Sequence, residues 1–470
     1  MLPDVTLSLT SKQWEQLRTH LFPGDEKEAA AIALCGRRAG HHRHRLLVRE
    51  IYEIPHAYSQ RTCSSIIWPT DVVTSLLDKA EAENLSIVKF HSHPRDYAAF
   101  SDIDDAGDQR LMPAIRGWIE HDIPHASVVM LPDGQMFGRI LWRGSDFIPL
   151  SCINVVGSDL HFWRSGHDPT FSAEFTDSHA QAFGQGTTEL FRHLSIGVIG
   201  CSGTGSPVIE QLARLGAGEL VLVDDDCVEE RNINRILNST IKDAHTRCPK
   251  VEMLATAVKR MGLGTQVRAF NRNLWDREVV QAVAECDVLF GCMDTISGRF
   301  LLNTLATYYT IPYFDLGVRL NAIPDGIERG RIHEICGTVH YLQPGRSSLM
   351  SRGLVSLDRV REEGLNRNDP AAHIQQVEDG YIRGVEEHRP AVISVNMFIA
   401  SLAVNDFLAR LHPYREESNS EIASIEFSLG SLELFPDPED EPCALLYDAV
   451  GRGDMEPLLG LMELVERRRA

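Results

Sequence analysis

Val5, Leu7 and Leu9 alternate with polar neighbours and predict a strand, and SKQWEQLRTHLF follows as a helix capped near Thr10 or Ser11. Residues 25–36, DEKEAAAIALCG, run from charge into a second strand. RRAGHHRHR, residues 37–45, predicts a solvated hairpin turn with a cationic rim. Leu46–Ile54 and Cys63–Trp68 read as strands, Thr70–Asn84 as a helix, Ile87–Phe90 as a strand, and His125–Leu150 as the last strands of this half. From about Ser158 to Gly186 the periodicity fades into a polar, Gly- and Pro-bearing stretch that predicts a linker. Apolar runs then resume at Ser195–Ile199 and Leu220–Val223, with a helical pattern between them from Pro207. Arg346–His388 is strongly polar and predicts a mobile segment crossing the second half. Pro390–Leu411 predicts an apolar core helix, Ile422–Leu434 a hairpin, and Met455–Arg469 a terminal helix with a basic end. Alternating strands and helices predict an α/β fold in both halves. The expected division is 1–157, a linker at 158–186, and 187–470.

The first candidate chemistry sits between the two apolar runs of the second half. Strand, GCSGTGS, helix, strand and the acidic triplet Asp224, Asp225 and Asp226 follow one another in the layout of a nucleotide site. Glycines let the backbone close on a phosphate, and a helix N-terminus offers it N–H groups and positive dipole. Gly200, Gly203 and Gly205 are spaced GxxGxG, a pattern that also serves plain tight turns. RNINR, residues 231–235, adds Asn232 and Arg235 just past the acidic strand end, where a triphosphate needs neutralising.

These residues resemble the ThiF-like adenylyltransferases, relatives of the ubiquitin-activating enzymes. The resemblance continues in order through Lys250 in CPKVEMLA, CDVLFGCMDTISGRFLLN (Cys286–Asn303) and IPYFDLG (Ile311–Gly317), and spans roughly Gly184 to Phe435. It implies a Rossmann-like, mostly parallel sheet that uses ATP and Mg. Gly200, Gly203 and Gly205 would surround the phosphates, and Asp224 or Asp226 would hold the ribose. Asn232 would line the cofactor, Arg235 and Lys250 would neutralise phosphates, and Asp294 would hold Mg.

A second chemistry follows the strand Ile87–Phe90. His91 and His93 are two apart, so on extended backbone both imidazoles face one way. Six residues after Pro94, Ser101 and Asp104 have the spacing of a helix N-cap and its N3 partner. His91, His93 and Asp104 make three protein ligands, and three leave zinc the open position of a catalytic site. HxHP-x6-SxxD resembles the JAMM (MPN, JAB-type) zinc peptidases, over about Gln13 to Phe147. That family cleaves at the C-terminus of ubiquitin-like proteins. The resemblance implies a glutamate base, best matched by Glu28 with Glu50 and Glu53 as weaker alternatives, and an oxyanion role for Ser101.

Composition narrows the field. Forty-six Lys and Arg against 66 Asp and Glu give a net charge of −20, which disfavours general binding to nucleic acid or anionic membrane. No signal-like start or membrane-length apolar run is legible, and ten cysteines without a CxxC pair suit a reducing cytoplasm. Many ThiF-like enzymes carry a thioester cysteine in the segment matching Arg346–His388. None occurs there in this chain, and Cys336 just before it is the best remaining thiol. The combined expectation is processing and activation of a ubiquitin-like protein by a bacterial cytoplasmic enzyme. The fusion resembles those of prokaryotic ubiquitin-like conjugation and antiviral defence loci, with a conjugating enzyme or sulfur donor as a further partner. Alternatives are sulfur-carrier activation for cofactor or siderophore synthesis, and a binding module with one inactive half. The resemblance also implies a homodimer, although DSHAQAFG (Asp177–Gly184) lacks the arginine that such dimers use.

Overall fold

The computed structural model describes residues 3–69, 71–166, 185–322, 332–369, 392–439 and 441–466. The remainder of the expected linker, DSHAQAFG, and residues 370–388 of the expected crossing segment lie outside the described residues. Residues 346–369 of that segment are ordered, with Ser347, Ser348 and Leu349 buried and a helix over Leu357–Asn368. The chain divides into two compact units: Met1–Pro169 with Tyr308–Thr310 and Ala449–Gly460, and the rest.

The first unit is built on strands β1 (Asp4–Thr10), β2 (Ala30–Ala39), β3 (Arg43–Glu53), the short pair β4 (Gln60–Arg61) and β5 (Ile66–Ile67), β6 (Ser86–Ser92), β7 (His125–Met130), β8 (Met136–Leu141), β9 (Ile148–Pro149), β10 (Cys152–Val156) and β11 (Leu160–Arg164). Nine of these form one sheet in the order β11-β10-β1-β3-β2-β6-β7-β8-β9. Period-two alternation gives each face its own core. On β2, Ala31, Ala33 and Cys35 face the side packed by Leu17 and Leu21 of helix α1 (Ser11–Leu21). Ala30, Ile32 and Leu34 face α2 (Asp71–Ala82) and α3 (Asp102–Trp118). Thr10 caps α1 through a reciprocal box with Gln13, as the sequence suggested.

Three expectations for this unit change. The Cys63–Trp68 strand shrinks to the two residues of β5. The 37–45 turn is a hairpin tip only at its centre: His44 and Arg45 continue β3 into the interior, where Arg45 donates to Ser8 Oγ at 3.1 Å. Leu160–Arg164, inside the stretch read as linker, pairs antiparallel with β10.

The chain's last segment also departs from the expected terminal helix. Among described residues, Met455–Arg469 forms only single 3-10 turns, at Leu458–Gly460 and Met462–Leu464, because Pro457 and the left-handed Gly460 interrupt any longer helix. Residues Ala449–Gly460 belong to the first unit. Gly451 and Gly453 both have positive φ, and a Cβ on Gly451 would overlap the Val48 carbonyl oxygen. Asp454 then anchors the segment, accepting from Ala39 N at 2.9 Å and Arg38 Nη1 at 3.2 Å.

The second unit carries β12 (Ser195–Ile199), β13 (Glu219–Val223), β14 (Gln266–Phe270), β15 (Val288–Gly291), β16 (Tyr313–Ala322), β17 (Ile332–Leu342), β18 (Ser424–Ser428) and β19 (Glu433–Asp437). Their order is β14-β13-β12-β15-β16-β17-β18-β19. The first five are parallel and the remaining pairings antiparallel. This is the expected Rossmann-like architecture. β12 lies between β13 and β15, so the order of connection reverses at its C-terminal end, which is where doubly wound sheets bind ligands. The apolar helix expected near 390–411 runs Ile393–Leu411 and is core-facing through Ile399, Ala403 and Phe407. No helix among the described residues is long and apolar enough to cross a membrane.

Candidate metal centre and nucleotide site

His91 is the penultimate residue of β6, and His93 follows the strand directly. Helix α3 begins at Asp102, capped by Ser101, whose Oγ accepts from Asp104 N at 3.2 Å while Ser101 N donates to Asp104 Oδ2 at 2.8 Å. The cap turns the Asp104 carboxylate back toward the histidines. His91 Nε2 lies 2.9 Å from Asp104 Oδ1, and His93 Nε2 lies 3.2 Å from Asp104 Oδ2. All three side chains are buried, and one ligand atom from each lies within 4.8 Å of the others.

The donor set fits zinc for a reason beyond proximity. His93 Nδ1 sits 2.7 Å from the Tyr97 carbonyl oxygen, which can only accept, so in the neutral ring the proton belongs on Nδ1 and Nε2 carries the lone pair. Burial works against charge on this ring, but Asp104 and the Tyr97 carbonyl outweigh it and raise the His93 pKa. His91 Nδ1 is buried without a hydrogen-bond partner, and Nε2 meets only Asp104 Oδ1. Burial pushes the His91 pKa down to about 4, which favours the neutral imidazole that a metal requires. Two imidazoles and one carboxylate leave one tetrahedral position open.

Glu28 lies two residues before β2. The pairing Ala30↔His91, extended by Ser92 N donating to Ala29 O, carries Glu28 toward His93. The residue is 5% exposed, and burial pushes its pKa up to about 7, with Asp104 adding to the rise and His93 and Lys89 opposing it. Of the alternatives, Glu50 is committed to Lys79 at 2.7 Å, and Glu53 accepts from Gln16 Nε2 at 3.1 Å. Glu28 is therefore the carboxylate associated with the cluster.

In the second unit, β12 is followed directly by Gly200, which has φ +91°. A Cβ there would sit 2.5 Å from the Cys292 carbonyl oxygen beyond β15, so only glycine fits this approach of two strand ends. A Cβ on Gly203 would overlap the Asn396 amide and come within 3.4 Å of Arg235 Cδ. The glycine turn and Arg235 are thus adjacent. The helix after the turn, α5 by chain order after α4 (Gln185–His193), spans Gly205–Arg214, and its N-cap Thr204 makes no side-chain hydrogen bond to the first turn.

Asp224 follows β13 and accepts from Cys201 N at 2.7 Å, tying the acidic strand end to the glycine turn. Lys250 Nζ pairs with Asp226 Oδ2 at 2.6 Å and with Asp224 Oδ1 at 3.4 Å. Burial works against the Lys250 charge, but the two carboxylates outweigh it and raise its pKa. Asn232 is buried, and its Oδ1 caps its own turn by accepting from Glu229 N at 3.1 Å. Asp294 is exposed, two residues beyond Cys292. Asn396 is the residue that the sequence reading missed; a lone amide in an apolar helix was its only signal.

Cys336 lies within β17, paired on both sides by β16 and β18, and burial pushes its thiol pKa up. Burial likewise raises Cys286 and Cys292 to about 12. None of these resembles an activated nucleophile.

The model of the ThiF family matches residues 176–442. The chain belongs to the ThiF family. In front of that match, the model described as prokaryotic homologs of the JAB domain covers residues 10–144, so this ThiF-family chain is a fusion of the two. Among curated relatives, the SAMP-activating enzyme E1 of Haloferax volcanii is 34% identical over 135 residues, 27% of this chain and 49% of that one. The ubiquitin-like modifier-activating enzyme 5 of Bombyx mori is 25% identical over 42% of this chain and 49% of that one. The adenylyltransferase and sulfurtransferase UBA4 of Meyerozyma guilliermondii is 28% identical over 28% of this chain and 30% of that one. The ThiF-family chain therefore spans about half or less of the length of these relatives. A solved structure of E. coli MccB with ATP is similar over 59% of this chain and 75% of that one, at 15% identity and a TM-score of 0.42.

Proposed function

We propose that the chain both processes and activates a ubiquitin-like protein. The first unit cleaves at the C-terminus of such a protein with bound zinc, and the second adenylates the exposed carboxylate with ATP and Mg. Support for adenylation comes from membership of the ThiF family, whose relatives here include enzymes named for activating SAMP and ubiquitin-like modifiers.

For cleavage, the observation that carries the reading is the buried trio His91, His93 and Asp104, with the second nitrogen of His93 already occupied by a carbonyl. Zinc, when bound there, supplies a Lewis acid and lowers the pKa of a coordinated water to about 7. Glu28 accepts a proton on its carboxylate as the water attacks and passes it to the leaving amine. A carboxyl titrating near neutrality suits both halves of that task. Ser101 orients Asp104 and, on giving up that bond, donates to the oxyanion.

For adenylation, the carrying observation is that the glycine turn, Asp224, Arg235 and Lys250 converge at the end of β12. A protein carboxylate is already ionised at pH 7, so the obstacle is repulsion between two anions. The site must supply cations and in-line placement. Arg235 and Lys250 neutralise the phosphates, Asp224 or Asp226 binds the ribose, Asn232 supports the cofactor wall, and Asp294 holds Mg. The carboxylate displaces pyrophosphate and leaves an acyl-adenylate.

The full chain incubated with ATP, Mg and small ubiquitin-like proteins from the same genome should yield a carrier–AMP adduct by mass spectrometry, and tail-extended carriers should be trimmed. A preparation that binds zinc and ATP yet gives neither product from any of them contradicts the reading. Sulfur-carrier activation is the second reading, favoured by the relative named as a sulfurtransferase. Incorporation of sulfide into the activated carrier would select it.

A further inference from the structure

Strand β6 and helix α3 meet twice, and only one of the two meetings is the metal trio. Lys89 precedes His91 by two residues, so both side chains leave the same face of β6. Asp108 follows Asp104 by one helical turn, on the same side of α3. Lys89 Nζ donates to Asp108 Oδ1 at 2.5 Å, and the two side chains are 7% and 0% exposed. Two residues of strand advance about 6.6 Å and four residues of helix about 6 Å. The Lys89–Asp108 rung and the His91–Asp104 rung are therefore matched in spacing, and holding one holds the other.

Arg139 on β8 closes the deeper rung. It donates to Asp108 Oδ2 through Nη2 at 2.7 Å and Nε at 3.1 Å, and to Asp105 Oδ1 at 2.5 Å. Its guanidinium lies 3.7 Å from the Phe100 ring centroid and 4.5 Å from that of Phe147, which fixes its plane. Phe100 in turn faces the His91 ring at 6.5 Å. A buried ion network of this kind is a weak source of stability, because desolvation offsets attraction. What it does supply is a fixed register between strand and helix.

We propose that Lys89 and Asp108 are positioning residues for the metal centre, setting the distance of Asp104 from His91 and His93 through the register of α3 on β6. This rests on reading that trio as a zinc site. Asp108 acts through α3, and Lys89 acts through its pairing with Asp108, its charge also reaching His91 and Glu28.

The test is zinc affinity of the full chain, measured by competition with a chromophoric chelator, together with the visible spectrum of the Co2+-loaded chain. Lys89→Met leaves Asp108 paired with Arg139, so no buried carboxylate is orphaned. Zinc affinity should fall tenfold or more, the range seen when supporting partners of metal ligands are lost, and the Co2+ bands should shift. Lys89→Arg, which keeps the pair, should recover most of the affinity. If Lys89→Met fails to fold, Lys89→Met with Asp108→Leu replaces the pair by apolar side chains and should show the same loss. A folded Lys89→Met chain with zinc affinity within twofold of the parent and an unchanged Co2+ spectrum overturns the proposal. A parent chain that takes up no zinc overturns the zinc reading instead, before any variant is compared.

Discussion

The two candidate sites solve opposite electrostatic problems with opposite materials. The trio in the first unit gathers lone pairs, and it does so with buried side chains on a strand and a capped helix. The site in the second unit must gather anions, and it does so with backbone: a left-handed glycine, a close-packed turn and a helix start. Lys250 there is buried and held by Asp224 and Asp226, while Arg235 is partly exposed and Asp294 exposed. A metal needs a few ligands at fixed distances, so a rigid interior serves it. A nucleotide enters and a product leaves, so its charged contacts sit on loops that can exchange partners.

Substitutions that break one site and spare the other sharpen this comparison. The largest effect is expected for Glu28→Gln, which should lower the cleavage rate by about 10²–10⁴-fold while leaving zinc content and pyrophosphate exchange unchanged; a quantitative cleavage assay beside metal analysis checks it. Arg235→Ala should lower ATP–pyrophosphate exchange by about 10²–10³-fold, with cleavage retained. Gly205→Ala forces a Cβ into the Gly200 carbonyl oxygen, and overpacking of this kind costs about 1–3 kcal/mol. Thermal unfolding should register that loss in the second unit, with no loss of zinc. The smallest effect is expected for Cys336→Ser, which should leave exchange within about twofold, since burial holds that thiol away from thiolate.

Both sites were largely legible because their signals are local. The two histidines share a face by strand periodicity, Ser101 and Asp104 are a cap written in four residues, and the glycine turn precedes its helix directly. What stayed hidden depends on residues distant in sequence. Asp454 bonds Arg38, 416 positions away, so no periodicity in the last thirty residues announces it. The strand at Leu160–Arg164 was lost in polar surroundings because pairing with β10, rather than its own pattern, makes it a strand. Arg45 and His44 read as a solvated rim because charge predicts exposure until a partner such as Ser8 is known. Lys89 and Asn396 are single polar residues within apolar runs and Asp108 is one charge among several in a polar helix start, and only tertiary packing says what they touch.

If the two sites are chemically separate, losing one leaves the other intact. The most direct measurement is a crossed one: zinc per chain by elemental analysis and ATP–Mg affinity by calorimetry, on folded His93→Ala and Arg235→Ala chains. His93→Ala should lose zinc and bind ATP as the parent does, while Arg235→Ala should keep one zinc and lose ATP affinity. Zinc retained at full occupancy by His93→Ala, or ATP bound equally well by Arg235→Ala, would show that these residues do not build the two sites.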